Sequence, residues 1–145
     1  MFNYNNVGNP VVPMFKELAE ESALIESLSS FIRKLNDEEH ALVVVEGLRD
    51  ARALRDSGFV GELFMLCHKS SLVKLEEVAK NFKKIILLLD NDAEGKKLSS
   101  RTQRILRGRI KMDTFYQRQL LPAGKGRIRH VEELAPFARK LAVHV

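Results

Sequence analysis

Two groups of acidic residues stand directly after apolar segments, and their side chains are the ones best suited to chemistry. Glu46 follows the apolar residues 41–45, and Asp90 opens an acidic group after the apolar residues 85–89. A charged side chain in that position lies at the rim of a sheet, where open α/β folds bind their ligands. If the two strands are neighbours, as the first and third strands are in flavodoxin-like order, Glu46 and Asp90 face each other.

Carboxylates crowded at one sheet edge repel one another, which raises their pKa values or requires a cation. Asp90 and Asp92 differ by two positions, which on an extended segment directs both side chains to the same side. We predict one or two Mg²⁺ ions here, because Mg²⁺ takes one or two carboxylates and keeps positions for water or phosphate. Such an ion can polarise a phosphodiester and activate a water molecule.

Helix capping is the competing interpretation of these acids. An acid after a strand is often the N-cap of the next helix, and Asp92 or Glu94 could have that role. Gly47 and Gly95, beside the two groups, would let backbone or phosphate approach closely. Two acidic groups at two strand ends, next to a basic segment, favour the metal site.

The charge of the chain is unevenly distributed. The net charge is +5, and residues 96–129 carry eleven basic residues and one acid, whereas residues 1–40 are acidic. Such a local excess favours a nucleic-acid partner, although a solvated basic surface explains it equally well. The residues that we expect to contact phosphate are Lys97, Arg101, Arg104 and Arg107 on or after one helix, and Lys125 and Arg127 in a turn.

Strand and helix patterns alternate along the sequence. Apolar residues at spacings of three and four predict a helix over residues 14–35. Strands are predicted over residues 41–45, 62–66, 85–89 and 109–113, and helices over residues 49–56, 70–81, 94–107 and 131–141. Residues 114–121 are ambiguous, and residues 122–126 are expected to form a turn. The alternation predicts a small, open, mainly parallel α/β sheet with helices on both faces and an additional N-terminal helix.

The chain of 145 residues has room for one domain. We expect a flexible tail over residues 1–13, an amphipathic helix over residues 14–37 that packs on the domain or pairs with a copy of itself, and an α/β domain over residues 38–145. No apolar run is long enough to span a bilayer, so no membrane partner is expected. A single cysteine, Cys67, favours a cytoplasmic setting.

The two acidic motifs together resemble the Toprim domain, which topoisomerases, bacterial-type primases, some nucleases and recombination proteins share. The resemblance is carried by Glu46-Gly47 after one strand and by Asp90-x-Asp92 with Ala93-x-Gly95 after another. It covers roughly residues 41–134 and implies a Rossmann-like fold. The sequence is similar to small stand-alone archaeal-type Toprim proteins and, after these, to the Toprim ribonucleases that mature ribosomal RNA. Residues 126–134 resemble the last motif of those ribonucleases.

The resemblance implies a role for each acid. Glu46 corresponds to a metal ligand or general acid/base in nucleotidyl transfer, and Asp90 and Asp92 correspond to the aspartates that hold Mg²⁺. Glu94 stands where topoisomerases often have a third acid. His130 could orient a substrate phosphate, although an ordinary surface histidine is the simpler interpretation.

The function expected from these features is Mg²⁺-dependent phosphodiester chemistry on nucleic acid, of the nuclease or nucleotidyl-transfer type, with structured RNA favoured over DNA. The catalytic residues would be Glu46, Asp90 and Asp92. One alternative is a non-catalytic, metal-containing module that binds RNA or a ribonucleoprotein. Another is a receiver-like signalling domain in which Asp90 is phosphorylated. Topoisomerase and full primase activities are not expected, because their additional domains are not recognisable in the sequence.

Overall fold

Helices and strands alternate along residues 11–67 and 71–145, the part of the chain that this computed structural model describes. In chain order the elements are α1 (Val11–Asn36), β1 (Ala41–Val45), α2 (Leu48–Asp56), β2 (Glu62–Met65), α3 (Ser71–Ala79), β3 (Lys84–Leu87), α4 (Ala93–Leu106), β4 (Lys111–Asp113), α5 (Phe115–Ala123), a 3₁₀ helix (Val131–Phe137) and α6 (Ala138–His144). None of the described helices is long and apolar enough to cross a bilayer.

The four strands form one parallel sheet in the order β2-β1-β3-β4. β1 and β3 are neighbours in the middle of the sheet, with Val44 of β1 opposite Leu87 of β3. The chain adds β2 on one side of β1 and then crosses to place β3 on the other side. Strand order therefore reverses between β1 and β3, which is where open α/β sheets bind ligands. The predicted parallel α/β sheet is confirmed.

Helices cover both faces of this sheet, which explains the continuous apolar character of its central strands. Val43 and Val45 of β1 pack in a core with residues of α1, α2, α5, the 3₁₀ helix and α6. Leu42 and Val44 face the opposite way and pack in a second core with residues of α3 and α4. The alternation of side chains along a strand thus divides one apolar run between two cores.

α1 packs on the sheet through its C-terminal part. Leu24, Leu28, Ile32 and Leu35 are almost completely buried in the first core, whereas residues 13–20 are exposed. The helix begins at Val11, so residues 11–13 belong to it and not to a tail. Residues 1–10, the rest of the predicted tail, lie outside the described residues.

The C-terminal part of the chain differs from the predicted elements. Residues 131–141 were expected to form one helix, but a 3₁₀ helix (Val131–Phe137) precedes α6. Pro136 explains the difference, because it has no N–H to donate and disfavours a continuous α-helix. The ambiguous residues 114–121 fall mostly in α5, which also includes Pro122, so the turn begins later than expected, at Gly124.

Candidate metal centre and nucleic-acid interface

The two acidic groups meet at the carboxyl edge of the sheet. Glu46 directly follows β1. Asp90 follows shortly after β3, the strand that lies beside β1 in the sheet. Oε1 of Glu46 accepts a hydrogen bond from the backbone N–H of Asp90 at 3.0 Å. Parallel strands end at the same edge, so two residues that are 44 positions apart come into contact. The sequence expectation that they face each other agrees with this geometry.

Asp90, Asp92 and His130 form a compact group of possible metal ligands. One ligand atom from each of them lies within 4.8 Å of the others. Nδ1 of His130 lies 3.1 Å from Oδ1 of Asp90. Two carboxylates and an imidazole at this separation can hold a divalent cation.

Asp92 also caps α4. Its Oδ1 accepts a hydrogen bond from the backbone N–H of Gly95 at 2.7 Å. Capping uses one carboxylate oxygen and leaves the second, so capping and metal binding are compatible in this residue.

Glu46 and Glu94 are placed differently from the other predicted ligands. Among the described residues, the close group of Asp90, Asp92 and His130 includes neither of them. Glu94 lies exposed in the first turn of α4. Glu46 is half-buried and lines a neighbouring open cleft with Asp50.

The environment of Glu46 raises its pKa to about 7. Burial disfavours the charged carboxylate and is the largest cause, and the negative charges of Asp90 and Asp92 add to it. The hydrogen bond from the backbone N–H of Asp90 acts in the opposite direction without cancelling the increase. A carboxyl group with a pKa near neutrality can both accept and donate a proton, as general acid–base catalysis requires.

Asp50 is a buried acid that the sequence analysis did not identify. Its Oδ2 accepts a hydrogen bond from the backbone N–H of Gly47 at 3.1 Å, and its Oδ1 accepts one from Glu132 at 3.2 Å. Burial, and then the charge of Asp90, raise the pKa of this carboxyl group. Asp50 thereby joins the loop after β1 to the 3₁₀ helix. Its position three residues after Gly47 is the spacing of a capping box, which was the available signal.

His130 owes its position to Glu133. Oε1 of Glu133 accepts hydrogen bonds from the backbone N–H groups of His130 at 2.8 Å and Arg129 at 3.1 Å. His130 is the N-cap residue of the 3₁₀ helix, which holds its imidazole against Asp90. Although burial lowers the pKa of His130, the attraction of the Asp90 carboxylate, whose Oδ1 lies 3.1 Å from Nδ1, outweighs it and raises the pKa.

The two glycines of the motifs have different surroundings. A Cβ atom at Gly95 would overlap the carbonyl oxygen of Asp90 and lie 2.7 Å from its carbonyl carbon, so the backbone approaches closely here. A Cβ atom at Gly47 would meet no described atom within 4 Å. Of these two glycines, Gly95 is therefore the one that close backbone packing requires.

The basic side chains of α4 lie on its outer face. Lys97, Arg101 and Arg104 are exposed and border one shallow depression of about 360 Å³. The opposite side of α4 is buried through Thr102 and Leu106, so this helix separates apolar packing from positive charge.

The other predicted basic residues stand apart from this face. Arg107 is exposed at the C-terminal end of α4, and Lys125 is exposed in the turn after α5. The guanidinium group of Arg127 lies over the ring of Phe137, 5.8 Å from its centroid.

An open cleft of about 480 Å³ lies beside the acidic edge. Its lining includes Glu46, Asp50, Asp90 and Glu132, together with Arg49 and Arg52 on α2. The sequence analysis did not identify these two arginines. They place positive charge beside the acids, where a phosphate group and a cation can be held together.

Comparison with known proteins identifies the family of this chain, whose parallel sheet has an acidic edge. The sequence matches the Toprim domain over residues 41–129. The chain belongs to the Toprim-domain family.

Among its relatives are small archaeal proteins. The chain is 35% identical over 104 residues to a UPF0292 protein of Thermococcus gammatolerans, which covers 71% of this chain and 77% of the relative. It is 30% identical over 118 residues to a UPF0292 protein of Methanocaldococcus jannaschii, and this match covers 79% of this chain and 92% of the relative. The predicted resemblance to small archaeal-type Toprim proteins is confirmed.

A solved structure has a similar fold. It is a putative protein from Aquifex aeolicus, with a TM-score of 0.61 and 28% sequence identity. The similarity covers 73% of this chain and 96% of the Aquifex protein.

Toprim domains typically bind a divalent metal ion and have functions related to nucleic acid, and the residues present fit such an ion. Asp90, Asp92 and His130 supply oxygen and nitrogen ligands at one point of the sheet edge. Nδ1 of His130 is buried and makes no hydrogen bond of good geometry with the described residues, although Asp90 lies beside it. A cation between the two side chains would satisfy both.

Proposed function

We propose that this protein is a Mg²⁺-dependent enzyme that performs phosphodiester chemistry on nucleic acid, most specifically a nuclease with structured RNA as its substrate. The observation that carries the proposal is the contact of Glu46 with Asp90 beside the group of Asp90, Asp92 and His130. This contact puts a carboxyl group with a raised pKa next to a possible cation site.

The residues of the site have complementary roles in this proposal. Asp90 and Asp92 would hold the ion, which when bound supplies Lewis-acid stabilisation of the charge that develops on the phosphate. Glu46 would act as the general acid or base, because its pKa of about 7 allows both protonation states near neutral pH. Glu94, exposed at the start of α4, would contact the water ligands of the ion.

The basic face of α4 supports nucleic acid as the substrate. α4 begins immediately after Asp92, so Lys97, Arg101 and Arg104 extend away from the acidic edge along one helix. Such a row of cations suits the phosphates of a nucleic-acid backbone. Arg107, Lys125 and Arg127 would extend these contacts beyond the helix.

The preference for structured RNA rests on the resemblance of residues 126–134 to the last motif of Toprim ribonucleases. With RNA as the substrate, and with Cys67 as the only cysteine, we place the protein in the cytoplasm. A ribonucleoprotein complex is a further partner in this proposal.

The test is the cleavage of structured RNA and of DNA with Mg²⁺ by the wild type, Asp90→Asn and Asp56→Asn. Asp56 is an exposed acid at the end of α2, so its substitution makes the same chemical change away from the site. We expect cleavage by the wild type and Asp56→Asn, and none by Asp90→Asn with an unchanged circular dichroism spectrum. Cleavage by the Asp90→Asn variant at the rate of the wild type would overturn the proposal.

A binding module without turnover is the second candidate, and the exposed basic face of α4 is the observation that favours it. This candidate predicts binding to RNA that weakens steeply with salt, because the protein displaces counterions from phosphates. Salt-dependent RNA binding without cleavage by any variant would support it over the nuclease.

A further inference from the structure

His130 lies at the acidic edge of the sheet, against Asp90. It lies 40 positions after Asp90 in the sequence, yet its Nδ1 is 3.1 Å from Oδ1 of Asp90. This nitrogen is shielded from solvent and makes no hydrogen bond of good geometry with the described residues. A buried imidazole nitrogen directed at a carboxylate, with a second carboxylate within 4.8 Å, is an arrangement that a cation completes.

The backbone, and not the imidazole, holds this segment in place. Glu133 accepts hydrogen bonds from the N–H groups of Arg129 and His130, and Asp50 accepts one from the N–H of Glu132. These bonds connect the 3₁₀ helix to itself and to α2, and none of them uses the side chain of His130. The backbone therefore constrains the position of the imidazole without using its ring nitrogens, and Nδ1 faces Asp90.

The chemistry of the ligands indicates which ion this site prefers. Mg²⁺ favours oxygen ligands and retains much of its water shell, whereas imidazole suits Zn²⁺, Fe²⁺ and Ni²⁺. Mn²⁺ stands between the two classes, because it takes carboxylate and water ligands as Mg²⁺ does but belongs to the first-row transition metals. Oδ1 of Asp92 is used by the N–H of Gly95, which leaves Oδ2 as its oxygen for an ion. The set available at this point is thus one imidazole nitrogen with oxygens of two carboxylates.

We propose that Nδ1 of His130 completes the metal site of Asp90 and Asp92, and that this site binds Mn²⁺ more tightly than Mg²⁺. The inference depends on the proposed function only for the presence of a divalent ion, and it does not require turnover. Glu46 and Glu94 remain outside this inner group and are available to a second ion or to water ligands.

The experiment is electron spin echo envelope modulation of bound Mn²⁺, combined with calorimetric titrations of Mn²⁺ and Mg²⁺ at mildly alkaline pH. The proteins are the wild type, His130→Ala and His144→Ala. His144 is an exposed histidine at the end of α6, so its substitution is the matched control. Labelling histidine with ¹⁵N identifies the source of any nitrogen coupling.

The wild type and His144→Ala are expected to show a histidine nitrogen coupled to Mn²⁺ and tighter binding of Mn²⁺ than of Mg²⁺. His130→Ala is expected to lose the coupling and about 10-fold or more in Mn²⁺ affinity, with a smaller change for Mg²⁺. The alanine variant keeps the backbone N–H that Glu133 accepts, and its thermal unfolding checks that the fold is retained.

Bound Mn²⁺ without a histidine coupling in the wild type, or an unchanged Mn²⁺ affinity in His130→Ala, would overturn the inference. Failure of Mn²⁺ to bind would overturn it as well. The outcomes for the proposed function are separate. A histidine coupling without cleavage of RNA or DNA supports this inference against the nuclease, and Mg²⁺-dependent cleavage without a coupling supports the nuclease against this inference.

Discussion

Gly95 in the first turn of α4 packs directly against the backbone of Asp90, so closely that a Cβ atom would lie 2.7 Å from the carbonyl carbon of Asp90. The backbone N–H of Gly95 also donates a hydrogen bond to Oδ1 of Asp92 at 2.7 Å. One glycine therefore sets the path of the segment that carries both aspartates.

Gly95→Ala is expected to destabilise the protein by about 2–3 kcal/mol, because the backbone of Asp90 must move to admit the methyl group. Gly47→Ala is the matched control: a Cβ atom there meets no described atom within 4 Å, and the φ of −150° suits any residue. Urea unfolding of the two variants measures the difference. Equal stability of the two variants would contradict the close approach at Gly95.

Asp50→Ala is expected to cost about 2–4 kcal/mol, since it leaves the N–H groups of Gly47 and Glu132 without their acceptor. Asp50→Asn keeps one acceptor oxygen and is expected to cost less. The exposed Asp56→Ala is the control, with an expected change within about 0.5 kcal/mol. Chemical denaturation gives all three values, and an Asp50→Ala variant as stable as Asp56→Ala would show that this carboxylate does not join the two elements.

Stability of the metal-free protein is expected to fall as the pH rises from about 4.5 through about 7. The pKa of Glu46 is about 7 in the folded state against the ordinary value of 4.5, so the folded state binds more protons in this window. The effect is about 1–2 kcal/mol once solvent screening of this half-buried group is taken into account.

Unfolding of the wild type and of Glu46→Gln at the two ends of that window measures this effect. The raised pKa values of His130 and Asp50 act in the same direction, so the difference between the two proteins isolates Glu46. Equal pH dependence in both proteins would mean that the folded state does not raise the pKa of Glu46.

Substitution of Lys97, Arg101 and Arg104 by alanine together is expected to weaken nucleic-acid binding and to reduce the slope of log K against log salt by about 2–3. The three side chains share one exposed face of α4. The control removes three exposed cations from the helices on the other side of the sheet, namely Lys16, Lys34 and Arg139. Salt titrations of binding to a fixed RNA compare the proteins, and an equal slope for both triple variants would exclude α4 as the phosphate contact.

The central part of this fold was predictable from local patterns. Continuous apolar runs predicted β1 and β3, because strands buried on both faces have no polar side, and the alternation with helices predicted their parallel arrangement. The acids of the metal site follow from the same patterns. Glu46 and Asp90 each stand where an apolar run ends, and parallel neighbours end at one edge.

The remaining features depend on contacts between distant parts of the chain. Asp50 binds the N–H of Glu132, 82 positions later, and His130 meets Asp90 only because the 3₁₀ helix packs against α2. No local pattern predicts these two long-range contacts, because the residues next to an acid or a histidine in the sequence do not show which distant side chain or backbone group it will meet. Periodicity alone determines which residues leave the strands at the sheet edge. The packing of the C-terminal helices, through burial and long-range hydrogen bonds, determines which further side chains reach that edge.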